Sequence, residues 1–81
     1  MQDNKVKVLA NFHISLEYKD GSCSCFSETK RLWSDEKGKV TEDVIDKWET
    51  MFIKSILRTD YHVGKCGVVC TSFFKLDNAE E

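Results

Sequence analysis

Alternation of apolar and polar positions along residues 6–18 is the clearest pattern in this chain. The apolar members of the pattern are Val6, Val8, Ala10, Phe12, Ile14, Leu16 and Tyr18. Because successive side chains of a β-strand point to opposite faces of the sheet, this spacing predicts a strand with one buried face. Asp20 and Gly21 follow directly, and this dipeptide favours a hairpin with a two-residue loop.

The hairpin predicts a second strand over about residues 22–32. With a two-residue loop, Leu16 is expected to lie opposite Cys25. In this register the second strand is small and polar on its core side, and it carries Phe26 and Leu32 on the other side.

Apolar side chains at offsets of three and four predict one amphipathic helix over about residues 42–58. Thr41 is expected to cap its first turn, and Glu42 and Asp43 favour the positive end of the helix dipole. The predicted stripe consists of Val44, Ile45, Trp48, Met51, Phe52, Ser55 and Ile56. This stripe is expected to cover the even-numbered face of the first strand.

Alternation returns over residues 65–76 and predicts a third strand. The side expected to face the helix holds Cys66, Val68, Cys70, Ser72, Phe74 and Leu76. The other side holds Lys65, Gly67, Val69, Thr71, Phe73 and Lys75. Residues 60–64 are expected to form a connection, and residues 77–81 an acidic tail.

The element order is therefore β-β-α-β, in a single small α+β domain over residues 1–81. A right-handed crossover through the helix places the third strand parallel to the second. The free side of the first strand then accepts it in antiparallel pairing. The sequence predicts a three-stranded antiparallel sheet in the order 2-1-3, packed on one amphipathic helix that leaves the other sheet face open.

Composition narrows the function classes. A chain of 81 residues can bury one small core but is too short for a deep, enclosed active site. Its net charge of −2 provides no basic field for phosphates, so we expect a protein rather than nucleic acid as the partner. Neither a signal-peptide pattern nor an apolar segment of about 20 residues occurs, so we expect a cytoplasmic protein without membrane association.

Four cysteines, Cys23, Cys25, Cys66 and Cys70, are the sharpest candidate site. Four thiolates can bind zinc, but the second and third strands lie about 10 Å apart when the first strand separates them. All four are expected on the helix-facing side, where a small apolar thiol suits a core. This favours free core thiols and no metal or cofactor, with zinc and disulfide bonds as the alternatives.

Cysteine–histidine catalysis needs an imidazole within hydrogen-bond reach of a thiol. The register places His13 on the opposite face from Cys23 and Cys25. His62 lies in a connection near Cys66, where a solvated histidine is the more common case. No glycine-rich phosphate loop occurs. The sequence predicts no enzyme.

The open sheet face is left as the candidate partner-binding surface, because five apolar side chains on one uncovered face can form a contiguous patch. These side chains are Leu9, Phe26, Leu32, Val69 and Phe73. The sequence therefore predicts a noncatalytic interaction protein that binds and inhibits or regulates a larger protein or complex. Phage-encoded inhibitors of host defence, anti-CRISPR proteins among them, are proteins of this type, although no motif here identifies such a family. The alternative is a small zinc- or nucleic-acid-binding adaptor, and the edge strands could also pair with a second copy of the chain to form a homodimer.

Overall fold

The structure, a computed structural model, describes residues 4–76. Its elements are β1 (Lys7–Tyr18), β2 (Cys23–Trp33), α1 (Glu42–Thr59) and β3 (Val63–Lys75). The sheet has the order β2-β1-β3, and β1 is antiparallel to both neighbours. The predicted α+β class and strand order are confirmed. The predicted acidic tail at 77–81 lies outside the described residues.

The even-numbered side chains of β1 form the centre of the core, as their spacing predicts. The buried apolar residues are Val8, Ala10, Phe12, Ile14, Leu16, Trp48, Val63 and Val68. The Phe12 ring meets the rings of Trp48 and Phe52 edge to face, with centroid distances of 6.5 and 5.3 Å. These contacts hold α1 against the sheet.

Helix α1 begins at the predicted residue. The Thr41 hydroxyl accepts a hydrogen bond from the Val44 amide at 3.4 Å, which satisfies one free donor of the first turn. The predicted stripe is wrong at Met51 and Ser55, which are both exposed. Ile53 packs against the core instead.

The hairpin loop has three residues, Lys19 to Gly21, and not the predicted two. The Tyr18 amide donates to the Ser22 carbonyl at 2.8 Å, and the Gly21 amide donates to the Tyr18 carbonyl at 2.9 Å. A two-residue type I′ loop needs positive φ at both residues, but Asp20 has a negative φ and only Gly21, at 93°, has a positive one. Hydrogen bonds from the Ser22 hydroxyl and amide stabilise this loop and lower the pKa of the Asp20 carboxyl.

One extra loop residue exchanges the two faces of β2, because side chains alternate with a period of two. Phe26 lies opposite Ile14, and Leu32 lies on the same side, facing α1. Cys23 and Cys25 lie on the open side, together with the odd-numbered residues of β1. The predicted core placement of these two cysteines was wrong.

A bulge in β3 causes a second change of face. Phe12 pairs with Cys70, whereas Asn11 pairs with Ser72, so Thr71 is an extra residue with no residue directly opposite it on β1. Its hydroxyl donates to the Asn11 carbonyl at 3.2 Å. A bulge of this kind reverses the facing of every residue beyond it.

Phe73 and Phe74 therefore exchange their predicted faces. Phe73 lies opposite Ala10 on the helix side, and its ring meets the Trp48 ring edge to face at 6.4 Å. Phe74 lies opposite Leu9 on the open side.

Helix α1 packs along β3 and leaves β2 largely uncovered. Within β2 only Glu28 and Leu32 are half-buried, and the other residues of the strand are exposed. Among residues 4–76, no element covers the sheet face opposite α1, which we call the open face, and β2 is an exposed edge strand.

Candidate binding surface on the open face of the sheet

The five predicted binding residues do not share one face. Leu9 and Val69 lie on the open face, whereas Phe26, Leu32 and Phe73 lie on the helix side. The predicted contiguous surface was wrong for two local reasons, the three-residue hairpin loop and the bulge in β3. A role for these residues in partner binding stays a prediction.

A different cluster lies on the open face, at the end of the sheet away from the hairpin loop. We call it the distal patch, and it consists of Lys7, Leu9, Arg31, Trp33 and Phe74. Leu9 is directly between Arg31 and Phe74 on the neighbouring strands, and Lys7 is directly opposite Trp33. Directly opposed residues are about 5 Å apart at Cβ and diagonal ones about 7–8 Å, so these side chains are neighbours.

Two aromatic rings dominate the distal patch. Trp33 is 52% exposed and Phe74 is 53% exposed, although both belong to regular strands. Large apolar side chains that stay exposed on the same sheet face are typical of surfaces that other molecules cover. The distal patch is therefore a better candidate for binding than the isolated Val69.

The distal patch is positively charged although the chain as a whole is acidic. The Lys7 Nζ atom lies 5.5 Å from the centroid of the Trp33 ring, a cation–π contact, and Arg31 is exposed beside Leu9. Glu28, three residues before Arg31, lies on the helix side of β2, and Asp35 and Glu36 follow Trp33 in the loop. Asp35 is engaged there, because its carboxylate accepts the Lys37 and Lys39 amides at 2.9 and 2.8 Å.

Hydrogen bonds hold the end of β2 in place beneath the patch. The Trp48 indole N–H donates to the Trp33 carbonyl at 3.2 Å. The buried Ser34 exchanges two bonds with Val6: its amide donates to the Val6 carbonyl at 3.0 Å, and its hydroxyl accepts the Val6 amide at 2.9 Å. A surface fixed in this way loses little conformational entropy when it binds.

A polar row limits the patch on the hairpin side. The Thr29 hydroxyl donates to Asn11 Oδ1 at 2.6 Å, and Asn11 Nδ2 donates to the Ser72 hydroxyl at 2.9 Å. This row spans all three strands and separates the distal patch from Val69 and His13.

The structure does not bring the four cysteines together. Cys23 and Cys25 are exposed on the open face, while Cys66 and Cys70 are half-buried on the helix side, as predicted for the second pair. All four thiols are free. Within residues 4–76 no three His, Cys, Asp or Glu side chains are placed to hold a metal ion. The geometry therefore does not support a four-thiolate zinc site.

The exposed histidines do not form a nucleophile pair with a thiol. His13 shares the open face with Cys23 and Cys25, contrary to the predicted register, but it lies opposite Ser27. No hydrogen bond within the described part of the chain joins His13 to either thiol. The His62 ring stacks on Tyr61 with a centroid distance of 4.6 Å.

Thiol alkylation at about pH 8 should modify Cys23 and Cys25 first. Burial raises the pKa of the Cys66 thiol, and burial together with the Glu49 charge raises the pKa of Cys70. Because the thiolate is the reactive form, the two half-buried thiols should react more slowly than the exposed ones, by about tenfold or more. Peptide mass spectrometry after timed labelling measures the four rates, and labelling in denaturant should make them equal. Equal rates in the folded protein would contradict the face assignment of β2.

Four residues of the distal patch were missed from the sequence: Lys7, Arg31, Trp33 and Phe74. Trp33 lies one residue beyond the predicted end of the second strand, and Phe74 was assigned to the core. A three-residue loop from Lys19 to Gly21 would have placed Trp33 on the open face, but Asp-Gly fits both loop lengths.

Known proteins add no information about this surface. No known family, curated protein or solved structure matches this chain. Within residues 4–76, no helix has the length and apolar character needed to cross a membrane.

Proposed function

We propose that this protein is a noncatalytic interaction protein that binds a larger protein or complex through the distal patch, and that it inhibits or regulates its partner by occupying the bound surface. The observation that supports this function is the pair of half-exposed rings, Trp33 on β2 and Phe74 on β3, on the two strands that flank Leu9 of β1. They lie on a sheet face that no element of residues 4–76 covers. Tryptophan and arginine are enriched among the residues that dominate binding energy in protein interfaces.

The chemistry of the patch indicates the kind of surface that it fits. The two rings would fill apolar depressions of the partner, and Lys7 and Arg31 would face acidic groups around them. Complementary charges at the rim of an interface raise the association rate and favour one orientation. We therefore expect a partner site with an apolar centre and an acidic border.

Inhibition by occupancy requires no catalytic group on this chain. Phage-encoded inhibitors of host defence, including those of the anti-CRISPR type, are one form of protein that acts in this way, and we include that role in the proposal. Free thiols are typical of a reducing compartment, so we place this activity in the cytoplasm.

Binding of single-stranded nucleic acid is a second candidate function, and the same patch favours it. Exposed aromatic rings on an open sheet can stack with bases, and flanking cations can contact phosphates. Trp33 and Phe74 provide the rings, while Lys7 and Arg31 provide the charges. The net charge of −2 places this function second.

Charge reversal within and outside the patch tests the proposed function. Affinity capture should use the wild type, the variant Lys7→Glu/Arg31→Glu and the variant Lys19→Glu/Lys54→Glu as baits. Both variants change the net charge equally, but Lys19 and Lys54 lie in the hairpin loop and on α1. Reversal within the patch should lower recovery of the wild-type partner by about tenfold or more, because attraction at the rim becomes repulsion. The control variant should recover it normally.

Equal recovery by both variants would contradict the proposed function. Circular dichroism of each bait establishes that it is folded. A labelled single-stranded oligonucleotide tests the second candidate: binding that weakens steeply with salt, without any captured protein, would favour nucleic acid.

A further inference from the structure

The outer edge of β2 is free to pair with another strand. At the two ends of β2, the Tyr18 amide donates to the Ser22 carbonyl and the Ser34 amide donates to the Val6 carbonyl. Because the direction of the backbone groups alternates along a strand, the even-numbered residues of β2 direct their amides and carbonyls toward β1. Its odd-numbered residues therefore direct their amides and carbonyls away from the sheet. The carbonyl of Trp33 accepts the Trp48 indole, and no strand among residues 4–76 pairs with this edge.

The opposite edge of the sheet, on β3, is blocked. The outward amide of Cys70 donates to Glu49 Oε2 of α1 at 2.8 Å, and the bulge at Thr71 interrupts the strand. Such features prevent the addition of a strand. β2 pairs with β1 in one unbroken register and contains no proline, so only this edge offers a regular template.

We infer that β2 pairs antiparallel with β2 of a second copy of this chain, about a twofold axis at Thr29. In this register Glu28 faces Lys30 of the second copy, and Phe26 faces Leu32. The outward-directed residues Ser27, Thr29 and Arg31 form the hydrogen-bonded pairs, two bonds to each pair. The two sheets become one continuous sheet, with both copies of α1 on the same side.

Charge complementarity selects this register. Only the odd-numbered residues of β2 direct backbone groups outward, so odd-numbered residues of one copy must face odd-numbered residues of the other. Each alternative register therefore places the twofold axis at a different residue of β2. An axis at Glu28 places two glutamates against each other, and an axis at Lys30 does the same with two lysines. Like charges directly opposite one another destabilise a strand pair. Moving the axis to Ser27 instead places Phe26 opposite a glutamate.

The charged side chains are already positioned for this pairing. Within one chain, Lys30 Nζ lies 3.4 Å from Glu28 Oε2 and 5.1 Å from the Phe52 ring centroid. On pairing, two glutamates and two lysines alternate around the axis. A network of this kind contributes more than an isolated surface ion pair. Because α1 leaves this side of β2 uncovered, Phe26 is accessible to Leu32 of the second copy.

Dimerisation uses the backbone edge of β2, whereas the proposed function uses the side chains of the distal patch. Arg31 belongs to both, through its backbone in the dimer and through its side chain on the open face in the patch. A single strand edge makes a small interface, so we expect a dimer that dissociates on dilution. Its test requires no partner protein, and its failure would leave the capture experiment unaffected.

Sedimentation and native mass measurements over about 1 μM to 1 mM, where weak complexes dissociate, test the inference. The wild type should change from its monomer mass of 9.4 kDa to twice that value. Glu28→Lys and Lys30→Glu should each remain monomeric, because like charges then face each other across the axis. The double variant Glu28→Lys/Lys30→Glu should dimerise again, since opposite charges face once more.

A backbone variant supplies the matched control. Thr29→Pro removes an outward amide without removing a backbone bond to β1, so it should abolish the dimer. Thr29→Ala should retain the dimer, and it is the matched control because both variants lose the side-chain bond from Thr29 to Asn11. A wild type that stays monomeric at 1 mM would overturn the inference. A double charge variant that does not restore the dimer would overturn it as well, even if Thr29→Pro fails to fold.

Discussion

Replacing Trp48 with alanine should lower the free energy of unfolding by about 3–5 kcal/mol, the loss typical of a large aromatic residue removed from a core. Trp48 is the residue through which α1 is anchored: it is only 6% exposed and contacts the rings of both Phe12 and Phe73. Its removal leaves a cavity between α1 and the sheet. Chemical denaturation monitored by circular dichroism measures the change, and a loss below about 1 kcal/mol would contradict the packing described here.

Trp48→Phe separates the packing of this side chain from its hydrogen bond. Phenylalanine keeps a ring in the core but cannot donate to the Trp33 carbonyl. We expect a loss of about 1–2 kcal/mol, since one hydrogen bond and part of the ring volume are removed. A loss as large as that of Trp48→Ala would show that the hydrogen bond, rather than ring packing, determines the stability of this region.

The elements that the sequence predicts well are those with one buried and one exposed side. On β1 every even-numbered side chain from Val8 to Leu16 is buried, so burial and alternation agree. On α1, Thr41 and Trp48 lie where capping and the apolar stripe place them. β2 is exposed on both sides, so burial gives its side chains no preference for either face. Its register depends on the loop alone, and Asp-Gly fits loops of two or three residues.

The binding surface could not be predicted for a related reason. Phe73 and Phe74 are adjacent, and alternation alone cannot show which of them faces α1. The bulge at Thr71 decides this, and nothing in the local sequence marks it. No element within residues 4–76 covers the sheet face opposite α1, as predicted, whereas the identity of the exposed aromatic residues required the structure.

Loss of both exposed rings should weaken partner binding more than any other change to the surface. Trp33→Ser/Phe74→Ser removes the apolar centre of the distal patch, and we expect a loss of at least about 2 kcal/mol, roughly 30-fold in Kd. Stability should change little, because about half of each ring is already in contact with solvent. Tyr61→Ser is the matched control, since it removes an exposed ring from the connection before β3, outside the patch.

Isothermal titration calorimetry of the captured partner against these variants tests the proposed binding surface most directly. The distal patch predicts that Trp33→Ser/Phe74→Ser loses about 30-fold or more in affinity, while Tyr61→Ser binds as the wild type does. An unchanged affinity in the double variant, with denaturation curves showing that it is folded, would contradict a binding surface on the open face of the sheet.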